Sequence, residues 1–281
     1  MKHFAFPIFC LLLFSLLVYG LSEGEISRTS YWRLQVDWFI TLNHQLASWS
    51  VLFANLTQLG DALILLPILS FLIIWKPQAW AAMFGAIPLG AILSVGSKYM
   101  AGVPRPAVVL DPDSFTVIGS ALKGYHSLPS GHTITLFGAV AAVMLVVAPL
   151  AKREDYWLHG MGLGMALLLA ASRVAVGVHW PLDIVAGAAL GYLAGLNGVF
   201  LTQRYPRWWH WLTLEKYQFI FGTIMLIWGL GLFNRVLRES DEADRVIWVA
   251  AIIACASAFI LLQRSVNYLL LKTTLTSSSF D

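Results

Sequence analysis

The chain has 281 residues, of which 58% are hydrophobic and only 12% charged, and its mean hydropathy is +0.73. Soluble domains carry about 25% charged residues, so this chain has too little charge to coat a globule in water, and the bilayer is its expected solvent. A net charge of +3 gives no basis for a nucleic-acid partner, and the two cysteines, Cys10 and Cys255, stand far apart inside apolar runs, a poor basis for a disulfide or a metal site.

A membrane helix needs about 20 apolar residues. Eight runs meet that need: 4–21, 51–75, 79–99, 132–150, 157–175, 182–202, 217–234 and 246–264. The first follows Met1-Lys2-His3 and ends in Val18-Tyr19-Gly20-Leu21-Ser22, a poor cleavage site, so a retained helix is expected rather than a signal peptide. Residues 23–50 follow, with Trp32, Val36, Phe39, Ile40, Leu46 and Ala47 separated by polar residues. That pattern predicts an amphipathic helix lying on the outer surface. Residues 100–131 hold Pro104, Pro106, Pro112 and Pro129 with four glycines, which predicts an ordered loop. Loops of that length within a compact bundle are commonly functional. After the sixth run, Gln203–Trp211 carries Arg204, Arg207, Trp208 and Trp209 and reads as a cytoplasmic interfacial stretch. Arg235–Arg245 reads as a solvated loop, and the Thr/Ser run at 273–279 as a disordered tail. The core is expected over residues 1–205, with 206–281 a C-terminal extension carrying two further spans.

Lysine and arginine orient such a bundle. With the N-terminus cytoplasmic, Lys2, Lys76, Lys152, Arg153, Arg204, Arg207, Lys216, Arg264 and Lys272 lie inside. Arg28, Arg33, Lys98, Arg105, Lys123, Arg173, Arg235, Arg238 and Arg245 lie outside, so the raw count is nine against nine. Lys98, Arg105 and Arg173 belong to the constellation below. Setting them apart leaves nine against six and favours both termini in the cytoplasm. Glu23, Glu25, Asp37, Glu239, Asp241, Glu242 and Asp244 then fall outside as well.

Ionisable side chains at membrane depth are costly, so each needs a reason. Lys98 ends the third run, Arg105 follows between two prolines, and His132 opens the fourth run after Pro129-Ser130-Gly131. Arg173 ends the fifth run, and His179 and Asp183 flank the start of the sixth. All six fall on one side of the membrane. Three cations at one depth repel each other unless an anion sits among them, and Ser130-Gly131 ahead of a helix adds backbone amides that favour one. A phosphoryl group suits that surrounding. His179 and Asp183 are four apart. If the helix begins by Trp180-Pro181, the carboxylate reaches one imidazole nitrogen and leaves the other free to attack. His132, on another helix, remains to protonate the leaving oxygen. No carboxylate cluster is left to hold Mg²⁺ or Zn²⁺, so neither metal nor cofactor is expected.

Blander readings compete. Lys98 and Arg105 read alone as snorkelling anchors, His132 as a helix cap, and Arg173 with Asp183 as a structural ion pair. His3, His44, His126, His159 and His210 stand outside the constellation and read as loop residues. Asp61, after Gly60, reads as a helix cap, with the substrate entrance as the alternative. Tyr99 and Tyr125 are candidates for the pocket wall.

The pattern Lys98-x6-Arg105-Pro106, Pro129-Ser130-Gly131-His132 and Ser172-Arg173-x5-His179-x3-Asp183 resembles the type 2 phosphatidic acid phosphatase superfamily, which shares its core with vanadium haloperoxidases. The resemblance covers about residues 50–205 and implies an all-α polytopic bundle with a six-helix core, to which the last two spans are additional. It implies a histidine nucleophile at His179, a phosphohistidine intermediate, an acid at His132, and phosphate contacts from Lys98, Arg105, Ser130, Gly131 and Arg173. The expected activity is metal-independent hydrolysis of a lipid phosphate or diphosphate on the outer face, on undecaprenyl diphosphate or a phospholipid monophosphate. Short loops and a compact chain suit a bacterial inner membrane. Two rival readings are a phosphotransferase moving phosphate from a polyprenyl diphosphate to lipid A, and a non-catalytic lipid-phosphate binder or transporter. The intact His179, Asp183 and His132 argue against the second, since a binder needs only the cations. The expected partners are the lipid substrate and the bilayer, with no obligate protein.

Overall fold

A computed structural model describes residues 2–24, 27–238 and 244–277, so Glu25, Glu239, Asp241, Glu242 and the end of the Thr/Ser run lie outside the described residues. The chain is all-α, in the order α1 (Lys2–Leu21), α2 (Arg28–Arg33), α3 (Val36–Ala47), α4 (Ser50–Gln58), α5 (Ala62–Ile68), α6 (Leu72–Trp75), α7 (Pro77–Ala101), α8 (Pro106–Val109), α9 (Gly131–Val147), α10 (Arg153–Ala175), α11 (Pro181–Arg204), α12 (Pro206–Trp209), α13 (Glu215–Arg238) and α14 (Arg245–Ser277). Proline opens α7, α8, α11 and α12, where its missing N–H has no intrahelical partner to lose.

Among the described residues six helices, α1, α7, α10, α11, α13 and α14, are long and apolar enough to cross a membrane, and the chain is an integral membrane protein. Their exposed faces carry residues such as Phe9, Leu16, Ile92, Ile227 and Phe259, as a lipid solvent requires. Two expected spans differ from a simple crossing. Run 51–75 is not one straight helix: α4 and the α5–α6 segment meet at 78°. The break falls at Leu59–Asp61, where Asp61 Oδ1 accepts the Leu63 N–H at 2.9 Å and starts a new helix. The expected run 132–150 is the 17-residue α9, cut short before Pro149, whose ring disfavours helix in the residue ahead of it. The expected disordered tail is corrected over residues 273–277, where α14 continues to Ser277, and residues 278 and 279 lie outside the described residues.

α9 packs against α7, α10 and α11, and α1 against α11. The α9–α11 contact is close because α11 turns glycines toward it. A Cβ on Gly187 would stand 2.9 Å from Ser130 O, and one on Gly191 2.6 Å from Ile134 O. Small residues let helix backbones approach this closely in lipid, and here they draw the N-termini of α9 and α11 together. α13 and α14 pack on each other, and α14 rests on α5. The Ser70 Oγ–H donates to Ser257 Oγ at 2.8 Å in the core, and Trp228 Nε1–H donates to Leu63 O. The last two helices thus brace the bent span. Phe4 packs on Phe200 while Val18 joins Trp180 and Ile184. α14 begins beside Asn55 and passes Ser70. α1 therefore starts, and α14 ends, at the end of the bundle opposite Asp183.

Candidate active site

The eight residues singled out by pattern come from the ends of separate elements and converge at one end of the bundle. Lys98 is in the last turn of α7, and Arg105 immediately precedes α8. Ser130 caps α9, whose first two residues are Gly131 and His132. Arg173 is in the last turn of α10, His179 lies in the turn after it, and Asp183 is in the first turn of α11.

His179 and Asp183 are joined directly, with Nδ1 3.1 Å from Oδ2. The carboxylate is fully buried and accepts three further hydrogen bonds: Ser127 Oγ–H at 2.6 Å and the Trp180 N–H at 3.0 Å on Oδ2, and Tyr31 O–H at 3.0 Å on Oδ1. The bond from Trp180 N–H ties the carboxylate to the start of α11 itself, so its direction follows from the helix. An ionised carboxylate only accepts, so His179 Nδ1 carries the proton and Nε2 presents its lone pair.

The cations are held around this pair. Arg105 Nη1 donates to Val178 O at 2.9 Å, one residue before His179, and its own N–H is bonded to Gly124 O. Lys98 Nζ lies over the start of α9, where a Cβ on Gly131 would stand 3.3 Å from it. Arg173 is buried, donates from Nη1 to Thr57 Oγ1, and leaves its Nε without a partner. An ion pair between Arg173 and Asp183 does not form. Burial and then the charges of Arg105, Arg173 and Lys98 push the His179 pKa well below its ordinary value, against a smaller opposing effect from Ser127. The imidazole is therefore neutral at physiological pH. Burial, and then the charges of Arg173, His179, Lys98 and Arg105, lower the His132 pKa to about 2, so His132 carries a proton only when an anion sits among these cations.

One expected contact needs refining. The Ser130 amide is not free, because it donates to Asp183 O at 3.2 Å, and Ser130 Oγ accepts the Thr133 N–H. The amides left open at this helix end by position are those of Gly131 and His132. Ser130 is thus the cap of α9, and His132 is not. His126 is an exposed loop residue against Tyr99, as expected, but His159 is not a loop residue: it is buried within α10 and bonded through Nε2 to Ala148 O. Among the described residues no three His, Cys, Asp or Glu side chains come together to hold a metal ion.

A cleft of about 380 Å³ opens at His132 and runs into the apolar interior between α5, α7, α9 and α11. Its α7 wall extends from Met83 to Val95, roughly 18 Å at the helical rise per residue. Gly60 and Asp61 are among the residues lining the cleft, and Asp61 caps α5. Tyr99 and Tyr125 are exposed and do not line it.

Several residues here were not singled out by pattern: Tyr31, Gln35, Asn43, Thr57, Gly60 and Ser127. Tyr31, Gln35, Phe39 and Asn43 are buried at a spacing of four. Gln35 Oε1 accepts the Leu182 N–H at 2.8 Å, and Asn43 bonds Thr116, Val174 and Ala175. Trp32 stacks on Trp180, and Val36 and Ile40 pack into the same cluster. Segment 23–50 therefore forms α2 and α3, with these residues turned toward the protein. The strict period of four was visible in the sequence, but a stripe mixing Tyr, Gln, Phe and Asn does not register as a hydrophobic face.

The family described as the PAP2 superfamily matches residues 79–213, which hold all eight pattern residues. The undecaprenyl-diphosphatase of Sulfolobus acidocaldarius is 30% identical over 159 residues, 56% of this chain and 72% of that protein. The lipid A 1-phosphatase of Porphyromonas gingivalis is 28% identical over 202 residues, 69% of this chain, and this chain spans only 41% of its length. The crystal structure of Aquifex aeolicus LpxE superposes with a TM-score of 0.49 at 26% identity, covering 59% of this chain and 95% of that one.

Proposed function

This chain belongs to the PAP2 superfamily, and from that footing we propose that it is a metal-independent lipid phosphatase working through a phosphohistidine on His179. The observation that carries the reading is the His179–Asp183 bond of 3.1 Å, set among Lys98, Arg105 and Arg173 beside an apolar cleft. Undecaprenyl-diphosphatase and lipid A 1-phosphatase relatives support a lipid phosphate as substrate. Of these, the cleft suits a polyprenyl diphosphate well, because its hydrocarbon can descend along α7 while the phosphate stays with the cations.

The chemistry divides into two displacements. In the first, the lone pair on His179 Nε2 attacks phosphorus, the bond from phosphorus to the leaving oxygen breaks, and His132 gives that oxygen a proton. Asp183 balances the charge that develops on His179. In the second, His132 takes a proton from water, whose oxygen attacks phosphorus and breaks the P–N bond, releasing inorganic phosphate and restoring His179. Lys98, Arg105, Arg173 and the amides of Gly131 and His132 stabilise the equatorial oxygens in both. These three side chains supply the positive charge that a divalent ion would otherwise bring.

We place the site on the outer face of a bacterial inner membrane with both termini cytoplasmic, on the lysine and arginine count and on the position of α1 and α14 relative to Asp183. Residues 1–205 form the catalytic core, and 206–281 an extension that braces the α4–α5 bend. The test is a panel of lipid phosphates in detergent with EDTA: undecaprenyl diphosphate, phosphatidate, phosphatidylglycerophosphate and lipid A. Phosphate release from at least one, lost in His179→Ala, supports the reading. Release that requires added Mg²⁺ refutes the mechanism, and product analysis with acceptor lipids present separates hydrolysis from transfer.

A further inference from the structure

We propose that Tyr31 is a positioning residue for the His179–Asp183 pair, holding Asp183 Oδ1 so that Oδ2 stays aimed at His179 Nδ1. This rests on the reading of His179 as the nucleophile. Tyr31 lies outside the family-matched residues 79–213, and its element, α2, reaches the site from the N-terminal segment.

The Asp183 carboxylate meets His179, Ser127 and the Trp180 N–H on Oδ2, whereas the bond to Oδ1 comes from Tyr31 at 3.0 Å. With only Oδ2 held, the carboxylate is free to swing about that oxygen. With both held, its plane is fixed. The Tyr31 donor is itself anchored. Gln35 Nε2 donates to Tyr31 O at 2.9 Å while Gln35 Oε1 accepts the Leu182 N–H, the residue beside Asp183. One turn further, Phe39 packs on Trp180 with ring centroids 5.1 Å apart. Next on the stripe, Asn43 bonds the carbonyls of Val174 and Ala175, just past Arg173. This stripe, carried on α2, the break at Gln35 and α3, thus holds the backbone at residues 174, 175 and 182 and the ring of Trp180, and Tyr31 is its member that touches the catalytic carboxylate. Burial, followed by the Asp183 charge, raises the phenol pKa well above its ordinary value, so Tyr31 remains a donor throughout the working range.

The groups facing the pair are Lys98, Arg105, Arg173, His132, Ser127 and Tyr31. Removing one neutral donor from a buried carboxylate makes the pair take up a proton more readily, and the pair titrates as a unit. Tyr31→Phe should lower kcat about ten-fold with KM within about two-fold of wild type, and should move the acid limb of kcat/KM upward by about one pH unit. Phe39→Leu disturbs the same stripe without a polar contact, and should lower thermal stability with the limb unmoved. Gln35→Leu loosens the Tyr31 anchor and should shift the limb in the same direction by less, which keeps the test alive if Tyr31→Phe does not accumulate. A Tyr31→Phe enzyme with wild-type kcat and limb overturns the proposal, as does an equal shift in Phe39→Leu. Running His179→Ala in parallel separates the two claims. If it still releases phosphate, the nucleophile assignment falls, whereas an inactive His179→Ala beside an unaltered Tyr31→Phe removes only the role of Tyr31.

Discussion

Gly60, at the bend between α4 and α5, lies so close to His132 that a methyl group on it would stand 2.7 Å from the histidine Cβ and 2.8 Å from its Cδ2. Both neighbours belong to the near part of the side chain, which cannot yield without moving the α9 backbone or turning the ring. The break in the second span is thus the surface against which the proposed general acid is seated, and α13–α14 hold that surface in place from behind.

Gly60→Ala should therefore lower kcat by about 10², with a smaller change in KM, because the cations proposed to bind phosphate are untouched. Steady-state kinetics in detergent, with the melting temperature measured beside them, tests this. A variant with wild-type kcat would show that His132 does not depend on the bend.

Asp183→Asn leaves the shape of the site intact but replaces an acceptor-only group with one that can also donate. The amide can turn an N–H toward Nδ1 and favour the tautomer that blunts Nε2. A fall in kcat of about 10³-fold is expected, as for tautomer control in other histidine-dependent sites. Competitive inhibition by inorganic phosphate, which needs the cations and not the Nε2 lone pair, should weaken far less. Equal loss of both would instead mark Asp183 as a structural residue.

The lowered His179 pKa has a consequence for stability. The unfolded histidine takes up a proton near pH 6.5, and the folded one resists it until well below. Below pH 6.5 the unfolded state binds more protons, so this contribution to stability is full above that pH and is given up as pH falls toward the lowered value. Between pH 7.5 and 6, where the unfolded histidine begins to take up its proton, the apparent melting temperature of the wild type should drop more than that of His179→Gln, which has no such proton to take up. Parallel curves would contradict the burial of a neutral imidazole.

The sequence made the chemistry more legible than the scaffold. Lys98, Arg105, His132, Arg173, His179 and Asp183 announce themselves because charge at membrane depth is rare, and residue spacing alone places Asp183 one turn from His179. What hydropathy cannot register is a break inside an apolar run. Residues 51–75 are apolar on both sides of Gly60-Asp61, and only the Asp61 cap, a local hydrogen bond, turns the chain by 78°. The same limit hid Tyr31, Gln35 and Asn43, whose value lies in single hydrogen bonds to distant backbone and to Asp183, not in periodic apolarity. Ser130 illustrates a third case: its position at a helix start was evident, but the carbonyl of Asp183, 53 positions along the chain, occupies its amide.

The central claim is a covalent bond between phosphorus and His179. Purified protein incubated with undecaprenyl diphosphate labelled at the terminal phosphate, then quenched in alkali, where phosphohistidine survives, should carry label on the peptide containing His179. The label should vanish in His179→Ala and decay on a chase with unlabelled substrate at the rate of turnover. An enzyme that releases phosphate at full rate with no label on His179, or a His179→Ala variant that still turns over, would contradict the account.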